Sequence, residues 1–177
     1  NITSALFAKW AWDNLLKDHH RIRLEILFDP ESAPYGAGYQ IIQSKIAIGS
    51  GGMLGVGWGK GTQTHLSFLP VRDTDFILSV GAEELGLVLV LSIMISFLYF
   101  TYNMLDYSER IFNKFSSLIL VGFSSIIFFH FIINFGMTIG LLPVIGLPLP
   151  FISYGGTFLL TCFAIVAIAN NIISNDL

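Results

Sequence analysis

The 177-residue chain carries nine Lys and Arg against twelve Asp and Glu, a formal net charge of −3, which leaves no basic patch of the kind nucleic acid requires. Hydrophobic residues make up 54% of it, with sixteen Phe, and the mean hydropathy is +0.71. An ordinary soluble domain is excluded, because the apolar residues come in runs rather than stripes. The single cysteine, Cys162, excludes an internal disulfide, and no Cys/His spacing marks a zinc site.

A bilayer-spanning helix needs about 20 mostly apolar residues. The first apolar run, residues 2–12, is too short for that and reads as the end of a longer membrane helix, with Trp10 and Trp12 at headgroup level. The chain opens on Asn1 without a basic n-region and cleavage site, so no signal peptide is expected and the chain reads as a truncated protein. Residues 13–75 form a long polar loop. Within it, residues 22–28 suit a short interfacial helix, which Asp29-Pro30 stops by removing a donor. Residues 39–48 suit a second short helix, with Tyr39, Ile42 and Ile46 on one face and Gly49 as C-cap.

Residues 49–62 are glycine-rich. They match neither nucleotide-binding pattern: a P-loop needs Ser or Thr after Gly59-Lys60, where Gly61 stands, and the dinucleotide spacing also fails. The glycines are expected to serve tight turns and close backbone packing.

Three apolar spans follow, at about 76–102, 115–142 and 157–173, with a polar hairpin loop over 103–114. His130 and Asn134 lie four apart on one face of the second span and suit an interhelical hydrogen bond. Residues 142–156 hold Pro143, Pro148 and Pro150 yet stay apolar. Irregular backbone at membrane depth is tolerated only where protein or a cavity surrounds it, so a re-entrant loop is expected. The fold class is therefore an all-α integral membrane protein, a polytopic helical bundle with a long loop and a proline-rich re-entrant loop.

Charge concentrates where the long loop becomes the first full span: Arg72, Asp73, Asp75, Glu83 and Glu84 stand within fifteen residues. Ionisable groups near the hydrocarbon are costly and mark candidate functional sites. Asp75, just before an apolar helix, fits two roles, an N-cap and a general base. Glu83 follows Asp75 by a rise of about 12 Å on a continuous helix, too far for direct cooperation. Glu83 and Glu84 are about 100° apart around that helix, so only one of them faces a given cleft.

In order along the chain, residues 36–52, Gly61-Thr62-Gln63, Phe68-Leu69-Pro70, Thr74-Asp75-Phe76-Ile77, Glu83-Glu84-Leu85-Gly86 and Ser153-Tyr154-Gly155-Gly156 resemble the SEDS family, which comprises RodA, FtsW and SpoVE. Residues 143–150 and Asp29-Pro30-Glu31-Ser32 are nearest to the RodA branch. The resemblance implies a multi-pass protein of the bacterial inner membrane that polymerises lipid II into peptidoglycan strands for cell elongation and rod shape, releasing undecaprenyl pyrophosphate. The undecaprenyl-linked glycan, a class B penicillin-binding protein and elongasome membrane proteins would be its partners, in contact with membrane lipid. It implies that residues 13–75 are periplasmic, although they hold six Lys and Arg against two in 103–114 and none in the tail. It also implies that residues 1–177 are the C-terminal half of one membrane domain, with several N-terminal helices missing.

The resemblance assigns catalysis to Asp75. Glu83, Glu84, Arg72, Lys45, Lys60, Gln43 and Ser153 are candidates for support or substrate binding. One carboxylate suffices for inverting transfer, and a pyrophosphate leaving group needs positive charge or a divalent cation, Mg or Mn, rather than a general acid. Lys45, Lys60 and Arg72 could supply that charge. The ordinary role for Arg72 and Lys60 is a solvated loop charge, for Lys45 an interfacial snorkel, and for Ser153 the satisfying of broken backbone. Asp73 stands where the family commonly has His. Two other functions fit the sequence: a lipid II flippase or transporter, which broken helices and intramembrane acids also suit, and a non-catalytic scaffold of the elongation complex.

Overall fold

The computed structural model describes residues 17–32, 36–61 and 74–176. The helix end at 2–12 with Trp10 and Trp12, and Arg72 and Asp73, lie outside the described residues. Among the described residues there are five α-helices and a short 3-10 turn, and no strand. In chain order they are α1 (Asp18–Phe28), the 3-10 turn (Pro30–Ser32), α2 (Ala37–Gly51), α3 (Ile77–Arg110), α4 (Lys114–Thr138) and α5 (Gly156–Asp176).

α3, α4 and α5 are long and apolar enough to cross a membrane. Their outward faces are apolar too: Ile95 on α3, Leu118 on α4 and Leu160 on α5 are all exposed. Such faces belong against lipid or against further apolar helices. Between α3 and α4 runs the main core, with Leu78, Ala82, Val90, Phe97, Ile127 and Phe131 buried. Phe97 and Phe131 stack with centroids 4.8 Å apart and planes 12° apart. α5 joins this core through Ile165 and meets Met104, Ile111 and Leu120 through Ala169.

The polar hairpin expected over 103–114 is not a loop. α3 continues to Arg110, and only residues 111–113 connect it to α4, which Asn113 caps by accepting the Phe115 N–H at 3.0 Å. Past its break at Gly86, the stretch of α3 over residues 87–110 still rises about 36 Å, beyond the ~30 Å hydrocarbon thickness, so its polar end is a solvated helix. Asp106 and Arg110, one turn apart, pair across its exposed surface at 2.8 Å. α4 stops at Thr138, short of residue 142, where Gly140 takes a positive φ of 74° and the Leu141 and Leu142 amides turn back to the Gly136 carbonyl.

α2 also corrects the sequence reading. It extends from Ala37 to Gly51 with Gly52, not Gly49, as C-cap. The face it buries is Gly38, Ile41, Ser44, Ala47 and Gly51, while Ile46 is exposed. Small residues are selected there because α2 lies against the α3 backbone: a Cβ on Gly51 would sit 1.9 Å from the Ala82 carbonyl oxygen.

α3 is broken at Gly86, whose φ of 74° and ψ of −169° are non-helical. Four backbone groups lose their helical partners at such a break. The glycine-rich segment supplies all four. Val56 N–H donates to Glu83 O at 2.9 Å and Gly57 N–H to Glu84 O at 3.0 Å. Leu87 N–H donates to Gly52 O at 3.0 Å and Val88 N–H to Met53 O at 3.4 Å. The approach is so close that a Cβ on Gly55 would lie 2.1 Å from Glu84 O, and one on Gly86 2.4 Å from Gly55 N.

The segment between α4 and α5 returns into the bundle. Leu149 and Pro150 are fully buried. The Phe151 ring meets Phe100 with centroids 6.3 Å apart and Phe163 at 5.9 Å, so it reaches the level of the second turn of α5.

Candidate functional site

Asp75 sits in the turn that enters α3. The N-cap position falls on Phe76, and no side chain caps this helix. Phe76 is itself fully buried, beside Ala47 and Val144, which pins the start of the helix to α2 and to the re-entrant segment. Capping therefore does not account for the Asp75 carboxylate. Among the described residues nothing hydrogen-bonds it, while its main chain is held firmly. Its Oδ2 faces Gly146, where a Cβ would come within 3.3 Å. Gly146 has a φ of 80°, so the loop passes the carboxylate in a conformation that L side chains rarely adopt.

Two side chains fasten the main chain here. The Asn134 amide, fully buried on α4, donates to Asp75 O at 3.0 Å and to Leu147 O at 2.7 Å. Ser153 Oγ donates to Thr74 O and accepts the Leu149 N–H at 2.8 Å. Both engage main-chain carbonyls of half-buried residues, where an unsatisfied acceptor costs roughly 1–3 kcal/mol. The Ser153 hydroxyl is thus committed to backbone, the role that irregular backbone at this depth requires, and is not aimed at a ligand.

A chain of buried hydroxyls continues from Asn134 to α2. Thr138 Oγ1 donates to Asn134 O at 2.6 Å, and Ser44 Oγ donates to Thr138 O at 2.6 Å. Ser79 lies 2.6 Å from Ser44 Oγ and is the donor there, since the Ser44 proton is already engaged. Ser44, Ser79, Asn134 and Thr138 are all fully buried. α2, α3 and α4 are thereby locked together directly behind Asp75.

The other sequence candidates divide into two groups. Lys45, on α2, is exposed and lays its Cε and Nζ over Gly140, 2.4 and 2.7 Å from where a Cβ would be. It therefore lies on the same short segment that Asp75 meets at Gly146. Gln43 is half-buried on α2 next to Ser44. Glu83, Glu84 and Lys60 gather instead around the α3 break. Glu83 is fully buried where α2 meets α3, with its Cα 3.0 Å from a Cβ on Gly51. Glu84 is half-buried in a cavity of about 400 Å³ whose other walls, Trp58, Leu89, Leu149 and Ile152 among them, are apolar. Lys60 is exposed on the glycine-rich segment, its Cδ 3.4 Å from a Cβ on Gly57. The two acids thus differ in environment, as their 100° separation requires. A cavity of about 540 Å³ opens beside Ile77, Ser153 and Tyr154 at the entrance to α3. Among the described residues no three His, Cys, Asp or Glu side chains come together to hold a metal.

Asn134 was not separable by sequence from an ordinary interhelical amide, and His130 does not join it. His130 Nδ1 lies 2.9 Å from Ile126 O of its own helix, and its ring stacks on Phe158 with centroids 5.2 Å apart. The one available signal was an uncharged amide deep in an apolar span.

The class defined by these features is a multi-pass α-helical membrane protein with a polar site at the junction of a loop and a broken helix. The FtsW/RodA/SpoVE family, described as cell cycle proteins, matches residues 1–176, and the chain belongs to that family. It is 48% identical over 160 residues to the peptidoglycan glycosyltransferase MrdB of Escherichia coli K12, covering 90% of this chain and 43% of that protein. It is 42% identical over 150 residues to the peptidoglycan glycosyltransferase RodA of Treponema pallidum, covering 83% and 34%. A chain from a solved peptidoglycan synthase complex that coordinates polymerization and crosslinking superposes with a TM-score of 0.74 at 31% identity, covering 99% of this chain and 47% of that one. The chain spans less than half the length of these relatives.

Proposed function

We propose that this chain carries the catalytic junction of a peptidoglycan glycosyltransferase, with Asp75 as the general base. The observation that carries the reading is a carboxylate whose backbone is clamped by Asn134 while its oxygens take no hydrogen bond among the described residues. The names of the relatives supply the reaction class.

In this reading a sugar hydroxyl attacks the anomeric carbon of a lipid-pyrophosphate-linked donor. The new C–O bond forms as the bond to the pyrophosphate breaks, the configuration inverts, and Asp75 takes the hydroxyl proton. Positioning such a base contributes typically about 10²–10⁴-fold. The departing pyrophosphate needs cationic stabilisation rather than a proton. Lys45, beside the same loop as Asp75, is the first candidate for it; Lys60 and Arg72 are the others. A divalent cation, Mg or Mn, held between the pyrophosphate and one or two carboxylates would supply the same charge.

The site faces the periplasm of the bacterial inner membrane, and lipid II is the substrate. A class B penicillin-binding protein is the partner that crosslinks the product. The likeness to a synthase complex that coordinates polymerization with crosslinking supports that pairing. The test is purified full-length protein with such a partner, its transpeptidase site inactivated, supplied with lipid II in liposomes. Released undecaprenyl pyrophosphate and strands of inverted anomeric configuration are expected. Translocation of lipid II without strands would favour a transporter, and neither activity would favour a scaffold.

A further inference from the structure

We infer that Asn134 is a positioning residue for the base, acting through the main chain of Asp75; this rests on the reading of Asp75 given above. The amide sits on α4, 59 residues away in sequence, and is fully buried. Its two N–H donors go to carbonyls on the two segments that bracket the Asp75 carboxylate. One is Asp75 O itself, at 3.0 Å; the other is Leu147 O, at 2.7 Å, the residue after the Gly146 that Oδ2 faces. A single planar group therefore fixes the spacing between the carboxylate and the loop that walls it. Among the described residues its own Oδ1 is buried with no partner, so the side chain works through its donors. An acceptor left unsatisfied at this depth is unfavourable, which an Asn kept only for packing would not justify.

The backbone route matters because nothing among the described residues orients the carboxylate directly. Asp75 lies in the turn just before α3, outside the helical hydrogen-bond ladder, and its aim is set by where its main chain is tied. Thr138 Oγ1 bonds the Asn134 carbonyl within α4, so the main chain that carries the amide is held as well. A displacement of about 1 Å in a catalytic group can cost about 100-fold in rate.

The test uses the full-length protein with its transpeptidase partner and lipid II as the probe, comparing wild type, N134A, D75N and the double variant. N134A should lower kcat by about 100-fold while KM for lipid II stays within about twofold. In the D75N background the same substitution should change the residual rate by less than about twofold, because the group it aims is already disabled. N134S, whose hydroxyl retains one donor, should recover part of kcat, and it serves in place of N134A if the latter fails to accumulate in the membrane. Full activity in N134A beside an inactive D75N would overturn the positioning role and leave the base assignment intact. Losses that multiply in the double variant, or a KM effect with unchanged kcat, would overturn it too. An active D75N would sink the base assignment itself, a result that Asn134 variants cannot mimic.

Discussion

At the scale of single residues, the site depends on side chains that are small or committed. Gly51, Gly55 and Gly86 stand where a Cβ would overlap backbone atoms at 1.9, 2.1 and 2.4 Å. Gly55 also has a φ of 79°, so even alanine there meets both a clash and a strained backbone. Gly55→Ala should destabilise the folded protein by about 1–3 kcal/mol, measurable as a lower unfolding temperature in detergent. Unchanged stability would mean that the contact with Glu84 O is not maintained in the membrane. The sequence shows these glycines only as a cluster without a nucleotide signature. That they serve close packing follows from their density; that their partner is a helix break thirty residues on does not, because a single glycine at the head of an apolar run is not by itself a break signal. Asn134 is opaque for the same reason. Its importance comes from which carbonyls the fold brings to it, and Asp75 O and Leu147 O lie 59 and 13 residues away.

At the scale of elements, the interruption of α3 and the glycine-rich segment form one unit. The four backbone groups released at Gly86 are paired by residues 52–57, so neither piece is complete alone. The unit divides α3 into a short half-helix that begins next to Asp75 and ends with Glu84 and Leu85, and a long one that crosses the membrane. Replacing Gly86 with alanine removes the favourable positive φ and pushes the chain towards a continuous helix, at a strain of about 1–3 kcal/mol if the break persists. Hydrogen exchange at the Val56 and Gly57 amides should then quicken by about 10–100-fold, at tenfold per 1.4 kcal/mol. Protection equal to wild type would show that the loop holds without the break. The spans were legible because each apolar run exceeds the length a bilayer requires. The end of α3 was not: Asn103, Asp106 and Arg110 look like loop polarity, yet their spacing of three and four is a solvated helical face. The α2 face was misjudged because hydrophobicity points to Tyr39, Ile42 and Ile46, whereas helix–backbone contact selects Gly38, Ser44 and Ala47.

At the scale of the whole molecule, the described helices present exposed apolar faces and enclose a polar seam that runs from Ser79 through Ser44, Thr138 and Asn134 to Asp75. The seam joins α2 from the loop to the membrane helices α3 and α4, so the loop is part of the scaffold of the site and not a cover laid over it. Breaking it remotely should weaken that attachment. Ser44→Ala leaves Thr138 O without its donor and should cost about 1–3 kcal/mol of stability while leaving the Asp75 carboxylate in place. Reduced thermal stability with strand synthesis largely retained is the expected pattern; loss of synthesis in a stable protein would tie Ser44 to the chemistry. The decisive measurement is the rate of lipid II polymerisation by full-length protein carrying Asp75→Asn, with its folding and lipid II binding matched to wild type. The account predicts a loss of about 10²–10⁴-fold, the contribution of a positioned base. Polymerisation at the wild-type rate would contradict it, and would return Asp75 to the ranks of structural residues.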